Sequence, residues 1–226
     1  MAESLDKTLP VILCIHGHGT NSTIFRHQSR NITQVLQNKF SFVFAESPIE
    51  TSQPGTGVLP YFAHVKPYRR WHHDDAAVGS FDVTAEDVAR ERKLVRDMLA
   101  EHVQRHQPVG VIAFSQGTRV ASALCLDPEL GTGIRFIVQI CGFVEALPLS
   151  SGPLEPRVLD MPSVHVQGTN DLWTAKQARL AKKSCFDPAR ARTIKFRGGH
   201  DVPVAMPDVV KITNEIVAVY ESLPPV

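Results

Sequence analysis

The chain alternates between short runs of consecutive apolar residues and longer stretches in which apolar residues recur every three or four positions. Consecutive apolar residues are typical of strands that are covered on both faces, as in a parallel sheet. Residues 10–15 form a continuous run of this kind, and the runs at residues 40–45, 109–114, 136–140, 164–167 and 193–196 resemble it. They predict six strands.

Helical periodicity occupies the segments between these runs. Residues 84–106 open with Thr84-x-x-Asp87, which predicts a capping box, and place Val95 and Leu99 on one face. Further helices are predicted at residues 21–38, 116–126, 174–183 and 207–222. Strand alternating with helix predicts a single α/β domain over 1–226, with a mostly parallel six-stranded sheet and helices on both faces.

Two stretches interrupt the alternation, at residues 47–80 and 142–162. Both are rich in proline and are too long for simple connections. The first also contains Tyr61, Tyr68 and Trp71. We interpret 47–80 as a lid-like insertion after the second strand that covers or walls a pocket; the alternative is a surface excursion without a role.

Composition narrows the class of protein. The 226 residues carry a net charge of +1, which argues against a protein built to coat nucleic acid or an anionic membrane. With 43% apolar residues the chain is not disordered, and no apolar run approaches the roughly 18–20 residues of a membrane span. Because residues 1–7 are polar and acidic, unlike a secretory signal, we expect a cytoplasmic protein. The four cysteines are far apart in sequence, which favours reduced thiols over a disulfide framework.

Ser115 directly follows the predicted strand 109–114 and precedes a predicted helix, in the sequence Ala113-Phe-Ser115-Gln-Gly117. This is the setting of a nucleophile elbow, whose usual pattern is G-x-S-x-G. The alternative is a serine that caps the helix beside a packing glycine.

A histidine and an acid follow Ser115 in the order expected for such a nucleophile. His200 lies on a glycine-rich loop after the last predicted strand, and Asp171 follows the strand 164–167. We expect His200 to act as the base and Asp171 to orient it. Asp160 and Asp187 are alternative acids, although neither directly follows a strand.

The first predicted strand runs into Ile15-His-Gly17-His18-Gly19, where glycines allow backbone amides to approach a substrate oxygen. We expect the N–H groups of His18 and Gln116 to form an oxyanion hole. Gly17-x-Gly19 is a poor dinucleotide fingerprint, because Ser22 stands where the third glycine is required. We therefore expect no organic cofactor.

Other histidines could indicate a metal. His102 and His106 are four residues apart on a predicted helix, and residues 72–75 read His-His-Asp-Asp. Neither has the H-E-x-x-H arrangement or supporting cysteines, so we expect no metal site. Lys66, Arg69 and Arg70 form a small basic cluster, which is either a solvated loop or a docking surface for an acidic partner.

The motifs at 15–19, 114–117, 168–171 and 199–200 together resemble the fungal FSH serine hydrolase family, within the α/β-hydrolase superfamily. The resemblance extends over about residues 9–222 and implies an α/β-hydrolase fold with Ser115 as nucleophile, Asp171 as acid and His200 as base. The aromatic segment of the chain at 68–71 also resembles an insertion of that family. We expect Gly17, Tyr68 and Trp71 to contact the substrate. Ala113 departs from the family's usual glycine.

The resemblance implies acyl hydrolysis. Members of the family include stand-alone thioesterases that act beside fungal polyketide synthases, and carboxylesterases. We expect a thioesterase that releases an acyl chain from a carrier protein, with a general carboxylesterase as the alternative. A non-catalytic binding protein on a hydrolase scaffold is the alternative from another class.

Overall fold

The computed structural model describes residues 8–73, 83–143, 145–149, 158–173 and 184–224. Its strands are β1 (Val11–Ile15), β2 (Ser41–Ala45), β3 (Ile49–Thr51), β4 (Tyr68–Arg70), β5 (Gly110–Phe114), β6 (Phe136–Ile140), β7 (Ser163–Gly168) and β8 (Ala191–Phe196). Six of them form one sheet in the order β2-β1-β5-β6-β7-β8, and every neighbouring pair is parallel. The six predicted strands are confirmed, with bounds that differ by at most two residues.

Helices cover both faces of this sheet, as predicted. One face carries α1 (Ser22–Gln28), α2 (Arg30–Leu36) and α5 (Met206–Glu221), and the other carries α3 (Ala85–His106) and α4 (Gly117–Leu126). Alternate strand residues enter separate cores: Ile112 and Phe114 pack with the first group of helices, Val111 and Ala113 with the second. Burial on both faces is the reason for the continuous apolar runs in the sequence. None of the described helices combines the length and apolarity needed to cross a bilayer.

The helix predicted over 21–38 is instead two helices, α1 and α2, separated at Ser29. The Ser29 hydroxyl donates to the carbonyl of Phe25 at 2.7 Å, a local bond of a kind that bends helices. By contrast, the predicted capping box of α3 is confirmed, with Thr84 and Asp87 bonded reciprocally. The helix predicted at 174–183 lies outside the described residues.

The segment after β2 returns as a two-stranded antiparallel ribbon of β3 and β4, which the sequence pattern did not indicate. Its backbone is hydrogen-bonded to the loop after β1. Gly19 N–H donates to Arg69 O at 2.8 Å, Arg69 N–H donates to Thr20 O at 2.7 Å, and Gly55 N–H donates to Gly19 O at 2.9 Å. The described part of the insertion, 47–73, is therefore attached directly to that loop.

Candidate active site

Ser115 occupies a sharp turn between β5 and α4. Its φ is +50°, in the left-handed region that residues other than glycine rarely adopt. The turn is held by two backbone bonds of 3.0 Å, from Ser115 N–H to Ile140 O and from Thr118 N–H to Ser115 O. A strained strand-to-helix turn of this kind raises the serine hydroxyl above the carboxyl edge of the sheet.

The two small positions of the elbow motif differ in the space around them. Position 117 requires glycine, whereas position 113 accepts the alanine found there. A Cβ on Gly117 would lie 2.3 Å from the carbonyl oxygen of His16, so the start of α4 can approach the first loop only with glycine there. Ala113 is fully buried, and its methyl group fills space in the core beside β1. The elbow forms with alanine at this position.

The hydroxyl of Ser115 is the end of a hydrogen-bonded chain. It lies 2.7 Å from Nε2 of His200, and Nδ1 of His200 lies 2.9 Å from the Asp171 carboxylate. Asp171 is buried, and its other oxygen accepts the N–H of Trp173 at 2.9 Å. The structure thus brings together the three residues that the sequence singled out.

The two alternative acids lie elsewhere in the structure. Asp160 is exposed and pairs with Arg190 at 3.1 Å. Asp187 accepts the backbone N–H of Ala189 at 2.9 Å and stabilises a local turn. Among the three acids considered, Asp171 is the one that contacts the His200 ring.

The loop after β1 is built around a buried neutral histidine. Nε2 of His16 accepts the N–H of Ser47 at 3.2 Å, and Nδ1 lies 2.7 Å from Gly17 O, to which it donates. Burial is the main cause that lowers the pKa of His16 to about 4. Thr20 also donates to Gly17 O, at 2.8 Å, so the path of the loop is fixed from both sides.

Gly17 brings this loop against the nucleophile. A Cβ there would lie 2.9 Å from the Phe114 ring and 3.2 Å from Cβ of Ser115. His18 follows Gly17 in this loop, and Gln116, the N-cap residue of α4, directly follows the serine. These are the two positions predicted to supply oxyanion donors.

The side chain of Gln116 has a role that sequence reasoning missed. Its Oε1 accepts the N–H of Trp71 at 2.7 Å, and its Nε2 donates to His72 O at 3.1 Å. The indole N–H of Trp71 in turn donates to His16 O at 2.7 Å. The insertion, the loop after β1 and the elbow are thus linked by buried hydrogen bonds, which no local sequence pattern reveals.

This network changes the interpretation of two predicted substrate contacts. Trp71 is 1% exposed and Tyr68 3% exposed, because Trp71 packs on His16 and Tyr68 packs with Ile24 and Val58. Both rings are enclosed by residues of the same chain, and their contact with substrate stays a prediction. The geometry favours a supporting role for both.

The three cations of the basic cluster in the insertion have different surroundings. Arg69 pairs with Glu46 at 2.7 Å, and Arg70 pairs with Glu91 at 2.7 Å. Lys66 remains exposed. Because two of the three cations are already neutralised by acids of the same chain, the cluster does not form one free basic surface.

Metal ligands are sparse among the described residues. One group, Cys141, Asp171 and His200, has potential ligand atoms within 4.8 Å of one another. Two of its members already share a proton through the 2.9 Å hydrogen bond. The ring centroids of His102 and His106 lie 5.8 Å apart on α3, with the rings tilted. His73 contacts Glu91 at 3.3 Å, and positions 74–75 lie outside the described residues.

Comparison with known proteins identifies the family. The model of the family described as "Serine hydrolase (FSH1)" matches residues 7–212. The chain belongs to this family. Among curated relatives of this FSH1-family chain, Thioesterase FSL2 of Gibberella zeae is 42% identical, over 98% of the chain and 96% of the relative. Esterase FUS5 of Gibberella fujikuroi is 29% identical, over 94% and 88%.

Solved structures agree on the fold. A carboxylesterase from Mesorhizobium loti superposes on the FSH1-family chain with a TM-score of 0.60 at 15% identity, covering 92% of this chain and 88% of that one. A putative hydrolase of the alpha/beta superfamily from Xanthomonas campestris gives 0.53 at 16% identity, covering 95% and 99%. The predicted α/β-hydrolase fold is confirmed, and the family identifies the protein as a serine hydrolase.

Proposed function

We propose that this FSH1-family serine hydrolase cleaves acyl thioesters, with Ser115 as nucleophile, His200 as base and Asp171 as orienting acid. The observation that carries the proposal is the continuous chain from buried Asp171 through His200 to Ser115, with contacts of 2.9 and 2.7 Å. Its three side chains come from three separate strand ends at one edge of the sheet. Such convergence is where α/β folds place their sites.

In the first half of the reaction, the Ser115 hydroxyl attacks the acyl carbonyl carbon while Nε2 of His200 takes its proton. The negative charge of Asp171 stabilises the imidazolium and keeps Nδ1 protonated. The tetrahedral intermediate then collapses, the carbon–sulfur bond breaks, and His200 passes its proton to the departing thiolate. The acyl group is left as an ester on Ser115.

In the second half, His200 takes a proton from water as the water oxygen attacks the ester. Collapse of the second tetrahedral intermediate returns the proton to Ser115 and releases the carboxylic acid. The N–H groups of His18 and Gln116 are the proposed donors to the oxyanion in both halves. This mechanism uses no metal and no organic cofactor.

The choice of a thioester is supported by the relative at 42% identity, which is named a thioesterase. Relatives at 29% identity are named esterases, so an oxygen ester is the second candidate. An acyl chain presented on a carrier protein is the finer proposal. Lys66, exposed on the insertion, is the cation of the predicted cluster that remains available to an acidic carrier.

Hydrolysis of matched acyl thioesters and oxygen esters, followed by intact-protein mass spectrometry, tests the chemistry. We expect an acyl adduct on the wild-type protein that is absent from Ser115→Ala, and faster turnover of thioesters. Turnover that persists in Ser115→Ala would overturn the mechanism. Faster turnover of oxygen esters would favour the second candidate.

The acid can be tested against its sequence alternatives. Asp171→Asn should lower kcat by several orders of magnitude, because the amide stabilises the wrong tautomer of His200. Asp160→Asn and Asp187→Asn are matched controls that should keep wild-type kcat. A loss in either control that equals that of Asp171→Asn contradicts the assignment.

The carrier proposal needs its own comparison. Lys66→Glu should raise KM for a carrier-bound acyl chain and leave KM for the corresponding small-molecule thioester unchanged. Lys211→Glu, at an exposed position on α5, is the control for the change of charge. An equal response to both substrates argues against docking through Lys66.

A further inference from the structure

Cys141 directly follows β6 and has an unusual backbone conformation. Its φ is +47°, so it is, like Ser115, one of the few residues other than glycine in the left-handed region among those described. The side chain is buried, with 2% of the residue exposed. A strained conformation that persists at a buried position requires support from its surroundings, and such residues cluster at functional sites.

The thiol lies between the loop of the acid and the loop of the base. Sγ is 3.7 Å from the carbonyl oxygen of Gly199 and 3.5 Å from that of Asp201, the residues on either side of His200. It is also within 4.8 Å of a carboxylate oxygen of Asp171 and a ring nitrogen of His200. No other cysteine among the described residues shares this cluster.

The thiol is present as a proton donor and is a poor nucleophile. Burial raises the pKa of Cys141 to about 12, and the neighbouring Asp171 carboxylate acts in the same direction. The S–H group therefore keeps its proton and faces carbonyl oxygens that accept it. Its environment is suited to holding a backbone in place and unsuited to covalent chemistry.

The base needs such support because of where it lies. His200 follows Gly198 and Gly199, residues that give a loop little stiffness of its own. The acid loop fixes the first part of this loop, through Thr169 N–H to Phe196 O at 3.0 Å and Asn170 N–H to Gly198 O at 2.9 Å. The Cys141 contacts extend this support past the histidine.

We propose that Cys141 is a positioning residue for His200: its thiol holds the carbonyls of Gly199 and Asp201 so that Nε2 stays within reach of Ser115. The inference rests on the proposed triad. A displacement of the base of a few tenths of an ångström weakens proton transfer in the transition state, while substrate binding is unaffected. The role therefore predicts a loss in kcat with little change in KM.

Three substitutions separate the thiol from the backbone strain. Cys141→Ala removes the donor, and we expect kcat to fall about three- to tenfold, the equivalent of one hydrogen bond. Cys141→Gly removes the donor and also relieves the left-handed strain, so kcat should fall equally while the melting temperature is maintained. Cys141→Ser keeps a donor and should retain at least half of wild-type kcat. Cys125→Ala, which truncates a buried thiol of α4, is the control for loss of packing and should affect stability alone.

The kinetics are measured on p-nitrophenyl acetate as a function of pH, together with the ¹H NMR resonance of the proton between His200 and Asp171. That resonance reports on the contact between His200 and Asp171 without turnover of substrate, so a failure of the triad assignment is distinguished from a failure of this inference. We expect it to be retained in Cys141→Ser and broadened in Cys141→Ala. Folded Cys141→Ala and Cys141→Gly with wild-type kcat and pH profile would overturn the proposal, as would a Cys141→Ser variant as impaired as Cys141→Ala.

Discussion

Acidification should destabilise the protein through His16, the buried imidazole of the loop after β1. Its Nε2 accepts the Ser47 N–H at 3.2 Å, and a proton on that nitrogen would remove the acceptor. The ring is 0% exposed and packs on Trp71 with 4.7 Å between ring centroids, so a positive charge there would have no access to water. Burial, the largest cause, lowers the pKa of His16 from 6.5 to about 4.

The sign and size follow from linkage. Because the folded-state pKa lies below the unfolded value, the unfolded chain binds the proton first. The contribution of His16 to stability is therefore fully present above pH 6.5 and is lost as pH falls through 6.5 towards 4. The difference of roughly 2.5 pH units, at about 1.4 kcal/mol per unit, corresponds to about 3 kcal/mol.

Urea unfolding at several pH values between 7 and 4 measures this effect in the wild type and in His16→Gln. Glutamine does not titrate, yet it can accept from Ser47 and donate to Gly17. We expect the wild type to lose about 3 kcal/mol more free energy of unfolding than the variant over this range. His165, whose pKa burial also lowers to about 4, is present in both proteins and cancels in the difference. His64→Gln, at an exposed position, is the control for loss of a histidine. Parallel stability curves for wild type and His16→Gln would refute the reasoning.

Three further substitutions probe the packing around the elbow. Trp71→Phe deprives the buried His16 carbonyl of its 2.7 Å donor and should cost about 1–3 kcal/mol in urea unfolding, with a lower kcat on a small ester. Ala113→Gly removes a buried methyl group from a strand and should lower the free energy of unfolding by about 1–2 kcal/mol, with kcat unchanged. A gain in kcat would mean that alanine impairs the elbow. Gly117→Ala places a Cβ 2.3 Å from a backbone oxygen and should lower the free energy of unfolding by about 1–3 kcal/mol. In the control Gly133→Ala the nearest atom to the new Cβ is 4.0 Å away, so this variant should keep wild-type stability. Equal melting temperatures for the two variants would contradict this reasoning.

The centre of the sheet could be predicted from sequence because its strands are buried on both faces. β5 and β6 read as apolar runs with all five residues buried, whereas the edge strand β8 has polar, exposed residues at 192, 193 and 195 and a weaker pattern. The break between α1 and α2 could not be predicted in this way, since the apolar period continues across Ser29. At this position the Ser29 hydroxyl donates to the Phe25 carbonyl, a local contact of a kind that bends helices and that the hydrophobic pattern does not report.

In the site, likewise, the triad could be predicted from sequence and the role of the insertion could not. Ser115, Asp171 and His200 each follow a strand, so the topology of a parallel sheet brings them to one edge. The role of the insertion depends on contacts between distant parts of the chain, such as Gln116 with Trp71, 45 residues apart. Aromatic side chains in a proline-rich segment fit a pocket wall and a buried support equally well, and only the tertiary structure distinguishes the two.

The attachments of the insertion have a consequence for the divergence of substrate preference within the family. Gly55 is tied to Gly19 at one end of the segment, and the Asn21 side chain donates to Val65 O and Pro67 O, both at 3.0 Å, at the other. The stretch 56–64 between these anchors exposes Leu59 and Tyr61. Val58 of this stretch is buried against Ile24 and Tyr68 and must be kept, so the exposed positions 59 and 61 are the ones that can be exchanged, in nature or by grafting from a relative, while the loop that faces the nucleophile keeps its shape.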